Sequence, residues 1–505
     1  MDDVCEKYNI YEMIRTLLLV TVTAAAIIDA RVKEYVDAGL FSGVVLVSSG
    51  DHILYEKAFG LADRTFKVPN TLDTKFHIAS VSKPITAAAT LLLAERGKLS
   101  LDDRVSKFVP DFPNGDRITI EELLTHYSGL ADASSTADYN DWSRFQQTPA
   151  SLVEKLAKLP PRSQPGTRYS YSNSNYHLLA LIIEKASGTS FGDFLDQNIF
   201  KPLGMTNTAH HGDDKTIVPA LALGYMPKEA DAFEKPSYFD WTAKTGNGSL
   251  YTTAGDLLKF HRALQRGGLL RPETVTMSYG FDRKDRQVGM FWFHHEVAGH
   301  RSVYVGGSSP GFKAHIERFI DDDTAVIVLA NVYLASPTPI ADDISAILWQ
   351  KDPQLAPVPK PVPRAAEELR RISGTYRFGP NFYQPNVIVR IEPRDRYIVL
   401  RYPAFDAPLT PIANGAYFDR FYWSFVRFEN GKLIYRNGND EFVATSVSPQ
   451  STQRSQRFSV CSVLSVVITS APAPECLTDS ATPSSSGGTP PRTLRGAGAR
   501  PDRVH

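Results

Sequence analysis

The stretch from Phe76 to Lys98, FHIASVSKPITAAATLLLAERGK, sets Ser80 three residues ahead of Lys83, where a run of helix-forming residues begins. Two readings of Ser80 compete. A serine just before an apolar periodic run is what a helix N-cap looks like, and Pro84 lies early enough in the helix to need no partner for a backbone N–H. The other reading is a nucleophile, since residues three apart on a helix share a face and Lys83 can reach the Ser80 hydroxyl. A serine hydroxyl is a weak nucleophile until a neighbour takes its proton. A lysine can do so once burial and the positive end of a helix disfavour its charged form. Taken alone, the window favours the cap, because so short a pattern recurs by chance. Beyond it, Ile85, Ala88, Leu92 and Leu93 recur at helical spacing until Gly97 ends the helix.

The chain has 505 residues, 42% of them apolar, enough for two or three domains and a well-buried core. Lys plus Arg equals Asp plus Glu at 55 each, so no global field draws it to nucleic acid or to anionic membranes. No basic stripe interleaved with aromatics is present. Cys5, Cys461 and Cys476 lie outside the segments that read as folded and give neither a disulfide framework nor metal-ligand spacing. The run MIRTLLLVTVTAAA from Met13 resembles an export signal within an extension over residues 1–29. Asp2, Asp3, Glu6 and Glu12 suit such a signal only if translation begins at Met13; the alternative is a buried first helix on a cytoplasmic chain. The apolar run Leu17 to Ile28 is too short to span a bilayer, so no integral membrane span is expected.

A first domain reads over 30–352. RVKEYVDAG suggests a short helix, and FSGVVLVSSGDHILYEKAFG two strands about a turn at Ser48 to Asp51. Thr119 and Glu122 form a capping box ahead of a short helix whose His126 reads as a structural hydrogen-bonding residue. Residues 131–166 are loop-like, then weakly helical to Leu159, then broken by Pro160, Pro161 and Pro165. They present RYSYSNSNYHLLALIIEKASG, in which Asn173 or Ser174 can cap a helix running to Gly188, with Tyr171 on its approach. SLYTTAGDLLKFHRALQRGG is a further capped helix. From Arg301, RSVYVGGSSPGFKAHIERFIDDDTAVIVLANVY reads as three strands, with turns at Gly306 to Gly311 and Asp321 to Asp323, and a helix follows from about Ile340 to Trp349. A proline-rich linker over 353–364 leads to a small all-β domain over 365–448, with Asn430-Gly431 as a hairpin turn. The tail over 449–505, rich in Ser, Pro, Gly and Arg, cannot bury enough surface to order itself.

Three constellations could carry chemistry. The G-x-S-x-G at Gly307, Ser309 and Gly311 fails as a nucleophile elbow, because Pro310 and a strand follow the serine and no suitably placed histidine lies downstream. A glycine-rich strand turn is the better account. His210, His211, His294, His295 and Glu296 lack any metal-ligand spacing and read as ordinary exposed or core residues. The third joins Ser80 and Lys83 to Tyr171, Ser172 and Asn173.

Here the chain resembles the serine β-lactamase and penicillin-binding-protein superfamily, most closely its class C β-lactamase-related branch of esterases and D-aminopeptidases. The resemblance runs in order through FSGVVLVSSGD, FHIASVSKPITA, ITIEELLTHYSGL, PGTRYSYSNSNYHLLALIIEKASG, IFKPLGMTNT, GNGSLYTTAGDLLKF, GGSSPGF and AVIVLAN, over about residues 30–350. It implies an α+β fold: an antiparallel sheet flanked by helices, an all-helical subdomain, and a lipocalin-like C-terminal domain that shapes substrate access. It also implies a serine hydrolase without metal or organic cofactor, acting on a small-molecule or peptide substrate. Ser80 would be acylated, Lys83 would help deprotonate it, and Tyr171 would shuttle protons to the leaving group and during deacylation. Asn173 would hydrogen-bond the lysine and the substrate amide, and the N–H groups of Ser80 and Ser308 would form the oxyanion hole.

The third family motif is K-T-G or H-x-G. The literal KTG at Lys244 to Gly246 lies upstream of SLYTTAGDLLKF and is rejected; the aligned triplet is Val305, Gly306 and Gly307. The glycines allow close approach to a substrate. Val305 carries no charge, so recognition of a substrate carboxylate is expected to be weak unless Lys313 or Arg301 reaches the site. An ester, amide or D-amino-acid peptide is the expected substrate. A true β-lactamase, and a binding or scaffold protein that has lost turnover, are the alternatives. The sequence is silent on oligomeric state.

Overall fold

The computed structural model describes residues 24–447, apart from 229–231, 283–287, 335, 404–405 and 439. The run after Met13 up to residue 23, all three cysteines and the tail over 449–505 lie outside the described residues.

Six antiparallel strands form the central sheet, in the order Phe293–Val297, His300–Ser309, Phe312–Phe319, Thr324–Ala330, Gly43–Ser49 and His52–Phe59. The central strands read as continuous apolar runs because both faces are covered, which strand alternation converts into two cores. Val44, Leu46, Ile327 and Leu329 pack with the helices Ser82–Glu95 and Asn173–Ser187. Val45, Val47, Val326 and Val328 pack on the opposite face with Ile28, Val32, Ile340 and Ile344. No strand of the described residues falls between Phe76–His77 and Ala209–His210; the expected helical subdomain occupies that interval, with helices at Ile120–Leu124, Pro149–Ala157, Asn173–Ser187 and Phe191–Leu195. The capping box of Thr119 and Glu122 makes both of its bonds.

Several boundaries differ from expectation. The first helix spans 24–37 rather than starting at 31, so the extension expected through residue 29 is already folded from 24. Ile28 is buried in the core, and Asp29 accepts from Tyr55 and Lys57 at 2.9 and 2.7 Å. Gly306 to Ser309, expected as a turn, continue the strand that begins at His300; the turn is Pro310-Gly311. The last helix of this region starts at Pro337, earlier than Ile340, because proline is well placed at a first helical position.

The C-terminal strands from Gly374–Phe378 to Asp440–Ser446 close into an eight-stranded antiparallel barrel. Phe378, Leu400, Leu409, Val426, Leu433 and Tyr435 belong to its buried core. Asn430 and Gly431 both have positive φ, as a two-residue hairpin turn requires. Barrel and first helix share contacts: the ring of Trp423 stacks on Tyr35 at 5.6 Å. No helix among the described residues is long and apolar enough to cross a membrane.

Candidate active site

The short strand Phe76–His77 pairs with Leu250–Thr252, a strand not expected from the sequence. The chain then turns through a 3-10 segment, Ala79–Val81, into the helix Ser82–Glu95. Ala79 adopts a positive φ of 48° at that turn. The cap reading of Ser80 does not hold: the helix N-cap is Val81, and it makes no side-chain capping bond. The Ser80 hydroxyl is turned instead toward two side chains. Lys83 Nζ donates to Ser80 Oγ at 2.9 Å, and the Tyr171 hydroxyl lies 3.0 Å from the same oxygen.

Lys83 is completely buried. Its ammonium position is bounded by the rings of Tyr171, Tyr176 and Phe291, at 5.1, 5.7 and 5.1 Å. Nζ also donates to the Asn247 carbonyl at 3.0 Å. Burial pushes the amine well below the usual lysine range; Asp132 opposes that shift and Lys244 adds to it. Burial also pushes the Tyr171 phenol up, so it stays protonated. Low dielectric favours the neutral form of each, which leaves an amine able to accept a proton beside a phenol able to donate one.

Tyr171 is held by its neighbours. Its hydroxyl donates to Asn173 Oδ1 at 3.3 Å, and its ring lies 4.5 Å from that of His126. His126 is buried and kept neutral by burial, and its Nδ1 accepts from the Ser172 N–H at 3.2 Å. That is the structural role expected for it. Neither Asn173 nor Ser174 is the helix cap; Ser172 holds that position. Asn173 Nδ2 donates to Asp132 Oδ2 and Ser134 Oγ, each at 3.1 Å.

Gly306, Gly307 and Ser308 lie on the strand beside the turn that carries Ser80. A Cβ on Gly307 would come within 3.3 Å of the Ser80 nitrogen, whereas one on Gly306 would meet only Thr338 Oγ1 at 3.9 Å. Ser308 Oγ donates to the Tyr333 hydroxyl at 3.0 Å. Val305 is buried. Of the two cations considered for this flank, Lys313 is opposite Ser308 in the sheet register, its ammonium 4.4 Å from the centre of the Tyr333 ring. Arg301 lies at the other end of the strand and pairs with Asp321.

Several participants have no signature in the sequence. The rejected KTG ends a 3-10 segment at Trp241–Lys244, yet its surroundings reach the site: Gly246 offers its carbonyl to Thr86 Oγ1 at 2.7 Å, and Asn247 offers its own to Lys83. Phe291 adopts φ 67° in a tight turn in which its N–H donates to the Gly289 carbonyl at 2.8 Å. A bulky residue there costs on the order of 1–3 kcal/mol. The histidines weighed as metal ligands are dispersed: His210 meets Ser249, His294 the Tyr279 carbonyl, and His295 Glu317. Ser309 of G-x-S-x-G ends a strand that turns directly into another strand.

The chain is 32% identical over 312 residues to Penicillin-binding protein 4* of Bacillus subtilis (strain 168), an alignment covering 58% of this chain and 68% of that one. It is 28% identical over 244 residues to the teichoic acid D-alanine hydrolase of Staphylococcus aureus, covering 48% and 59%. The octameric penicillin-binding protein homologue from Pyrococcus abyssi superposes with a TM-score of 0.58 at 22% identity, over 82% of this chain and 98% of that one, a likeness of fold. A family model described as Beta-lactamase matches residues 28–345, the span that builds the sheet, its helical faces and the surroundings of Ser80, and the chain belongs to that family.

Proposed function

We propose that this chain is a serine hydrolase that forms an acyl-enzyme on Ser80 and acts on an ester, an amide or a D-amino-acid peptide. One observation carries the reading: a single hydroxyl oxygen lies 2.9 Å from a buried amine and 3.0 Å from a buried phenol. Neutral Lys83 takes the Ser80 proton as Oγ attacks the substrate carbonyl carbon, a contribution worth roughly 10²–10⁴ in rate. The N–H groups of Ser80 and Ser308 receive the oxyanion, each worth roughly 10²–10³. Tyr171 donates its proton to the leaving group and is reprotonated by the Lys83 ammonium, which carries the proton taken from Ser80. Water, deprotonated by the same pair, then releases the acyl group and restores the serine.

The D-amino-acyl class is supported by the name of the staphylococcal relative, a D-alanine hydrolase. Val305, apolar and buried where the family motif carries a lysine or histidine, supports slow turnover of β-lactams and is also what favours a binding protein without turnover. The two are separated by incubating the purified chain with a fluorophosphonate probe and a chromogenic ester, with mass spectrometry of the adduct. Labelling of Ser80 and ester hydrolysis above a Ser80→Ala control are expected; neither above control would leave the binding protein. Penicillin hydrolysis as fast as ester hydrolysis would overturn the inference from Val305.

A further inference from the structure

We propose that Phe291 is a positioning residue for acyl transfer: its ring closes the apolar wall around Lys83 beside Tyr171 and Tyr176 and holds water away from the amine. The inference rests on the acyl-enzyme reading above.

The backbone makes Phe291 unusual. At φ 67° a glycine would be at ease, whereas a phenylalanine is strained, so the ring stands there against local backbone preference. The loop is pinned on both sides. The Met290 N–H donates to the Ser278 carbonyl at 2.7 Å and the Gly289 N–H to the Trp292 carbonyl at 2.9 Å. A Cβ on Gly289 would stand 2.2 Å from the Tyr279 carbonyl oxygen. Phe293 is the first residue paired across the sheet, to Tyr304, so Phe291 lies in the turn just before the sheet edge.

The ring is completely buried and meets Tyr171, Tyr176 and His126 at 6.0, 5.3 and 5.3 Å, with Lys83 Nζ at 5.1 Å. Ring faces attract an ammonium, but they replace only part of the hydration it loses, so the wall favours the neutral amine. The other groups around Lys83 come from every neighbouring segment: Ser80 on its own turn, Tyr171, Tyr176 and His177, then His126, Asp132, Lys244 and the Asn247 carbonyl. Asp132 is the anion among them and favours the ammonium; Lys244 disfavours it. Val305 supplies no charge, so exclusion of water carries the balance.

The test uses the full chain with Phe291→Gly, Phe291→Leu and, as a packing control, Phe319→Leu in the other core. Two quantities are read: the pH profile of Ser80 acylation by a chromogenic ester, and the titration midpoint of Lys83 by NMR of ¹³C-labelled lysine, assigned through Lys83→Met. Phe291→Gly should admit water, raise the acidic limb and the Lys83 midpoint by about one pH unit or more, and slow acylation at neutral pH roughly tenfold. Phe291→Leu, which keeps apolar bulk, should fall between it and the wild type, and serves alone if the glycine variant does not fold. Phe319→Leu, on the opposite face of the sheet, should lower stability without moving either quantity. An unmoved midpoint and limb in both Phe291 variants, or an equal shift in Phe319→Leu, would overturn the proposal. Absence of acylation in the wild type would sink the acyl-enzyme reading separately, because the NMR midpoint still reports whether the ring keeps Lys83 neutral.

Discussion

A Cβ on Gly307 would stand 2.3 Å from the carbonyl oxygen of Ile78. The strand His300–Ser309 therefore reaches the turn of Ser80 only because this residue has no side chain, and the backbone on both sides leaves nothing flexible to yield. Gly307→Ala should push the Ser308 N–H away from the oxyanion position and cut Ser80 acylation by roughly 10²–10³, the worth of one such donor. Gly306→Ala, with open space at its Cβ, should change the rate less than tenfold. Labelling kinetics of the two variants check the contrast; equal losses would mean that the strand does not serve the oxyanion.

Burial of Lys83 has a cost that can be measured as stability. Its folded pKa lies below the unfolded value near 10.5, so from that value downward the unfolded chain binds a proton that the folded chain does not. Stability is therefore lost as pH falls from about 10.5 toward the folded pKa, and is recovered as pH rises. Lys83→Met removes this penalty while keeping an unbranched apolar stem. The variant should melt above the wild type at pH 7, by about 2–4 °C for each kcal/mol relieved, and the gap should shrink as pH approaches 10.5. Its acylation rate should fall by roughly 10²–10⁴. Calorimetry across pH checks the first claim and probe labelling the second.

Tyr171→Phe keeps the ring packed 4.5 Å from that of His126 and removes only the hydroxyl near Ser80 and Asn173. An activated nitrophenyl ester has a leaving group that needs no proton, so its acylation should drop only several-fold. An amide, whose leaving nitrogen must be protonated, should lose roughly 10²–10³. Parallel single-turnover measurements on the two substrates decide the point, and equal losses would remove Tyr171 from leaving-group chemistry.

Ser80, Lys83 and Tyr171 were legible because each is a reactive side chain within an ordered series of motifs. What sequence windows could not show was set by distant contacts. Pairing with Leu250–Thr252 draws Ala79 to Val81 into a 3-10 turn, so the apparent cap serine is not a cap. Gly306 to Ser309 read as a turn because glycine is depleted in strands, yet close approach to Ile78 requires glycine within one. The helix over 24–37 begins in an alanine-rich run whose composition fits a signal and a helix equally well. Asn247 acts through its carbonyl, which every residue type carries, and nothing in Met290-Phe291-Trp292 announces a left-handed phenylalanine. Asp132 lay in a segment that read as loop, and its grip on Asn173 is a contact 41 residues apart in the chain.

Tyr333 links the barrel to the strand His300–Ser309. Phe421, in the turn between the barrel strands Tyr417–Asp419 and Ser424–Glu429, packs 5.9 Å from the Tyr333 ring, and the Tyr333 hydroxyl accepts from Ser308 Oγ. Phe421→Ala leaves the partners of Ser80 and Lys83 in place, so labelling by a small fluorophosphonate should stay within about twofold of the wild type. An aromatic pair of this kind is worth roughly 0.5–1.5 kcal/mol, about two- to tenfold in binding. KM for an extended acyl ester or peptide should therefore rise by that factor at unchanged kcat. A matching loss with the small probe would show that the pair holds that strand itself. An unchanged KM would mean that the barrel takes no part in substrate access.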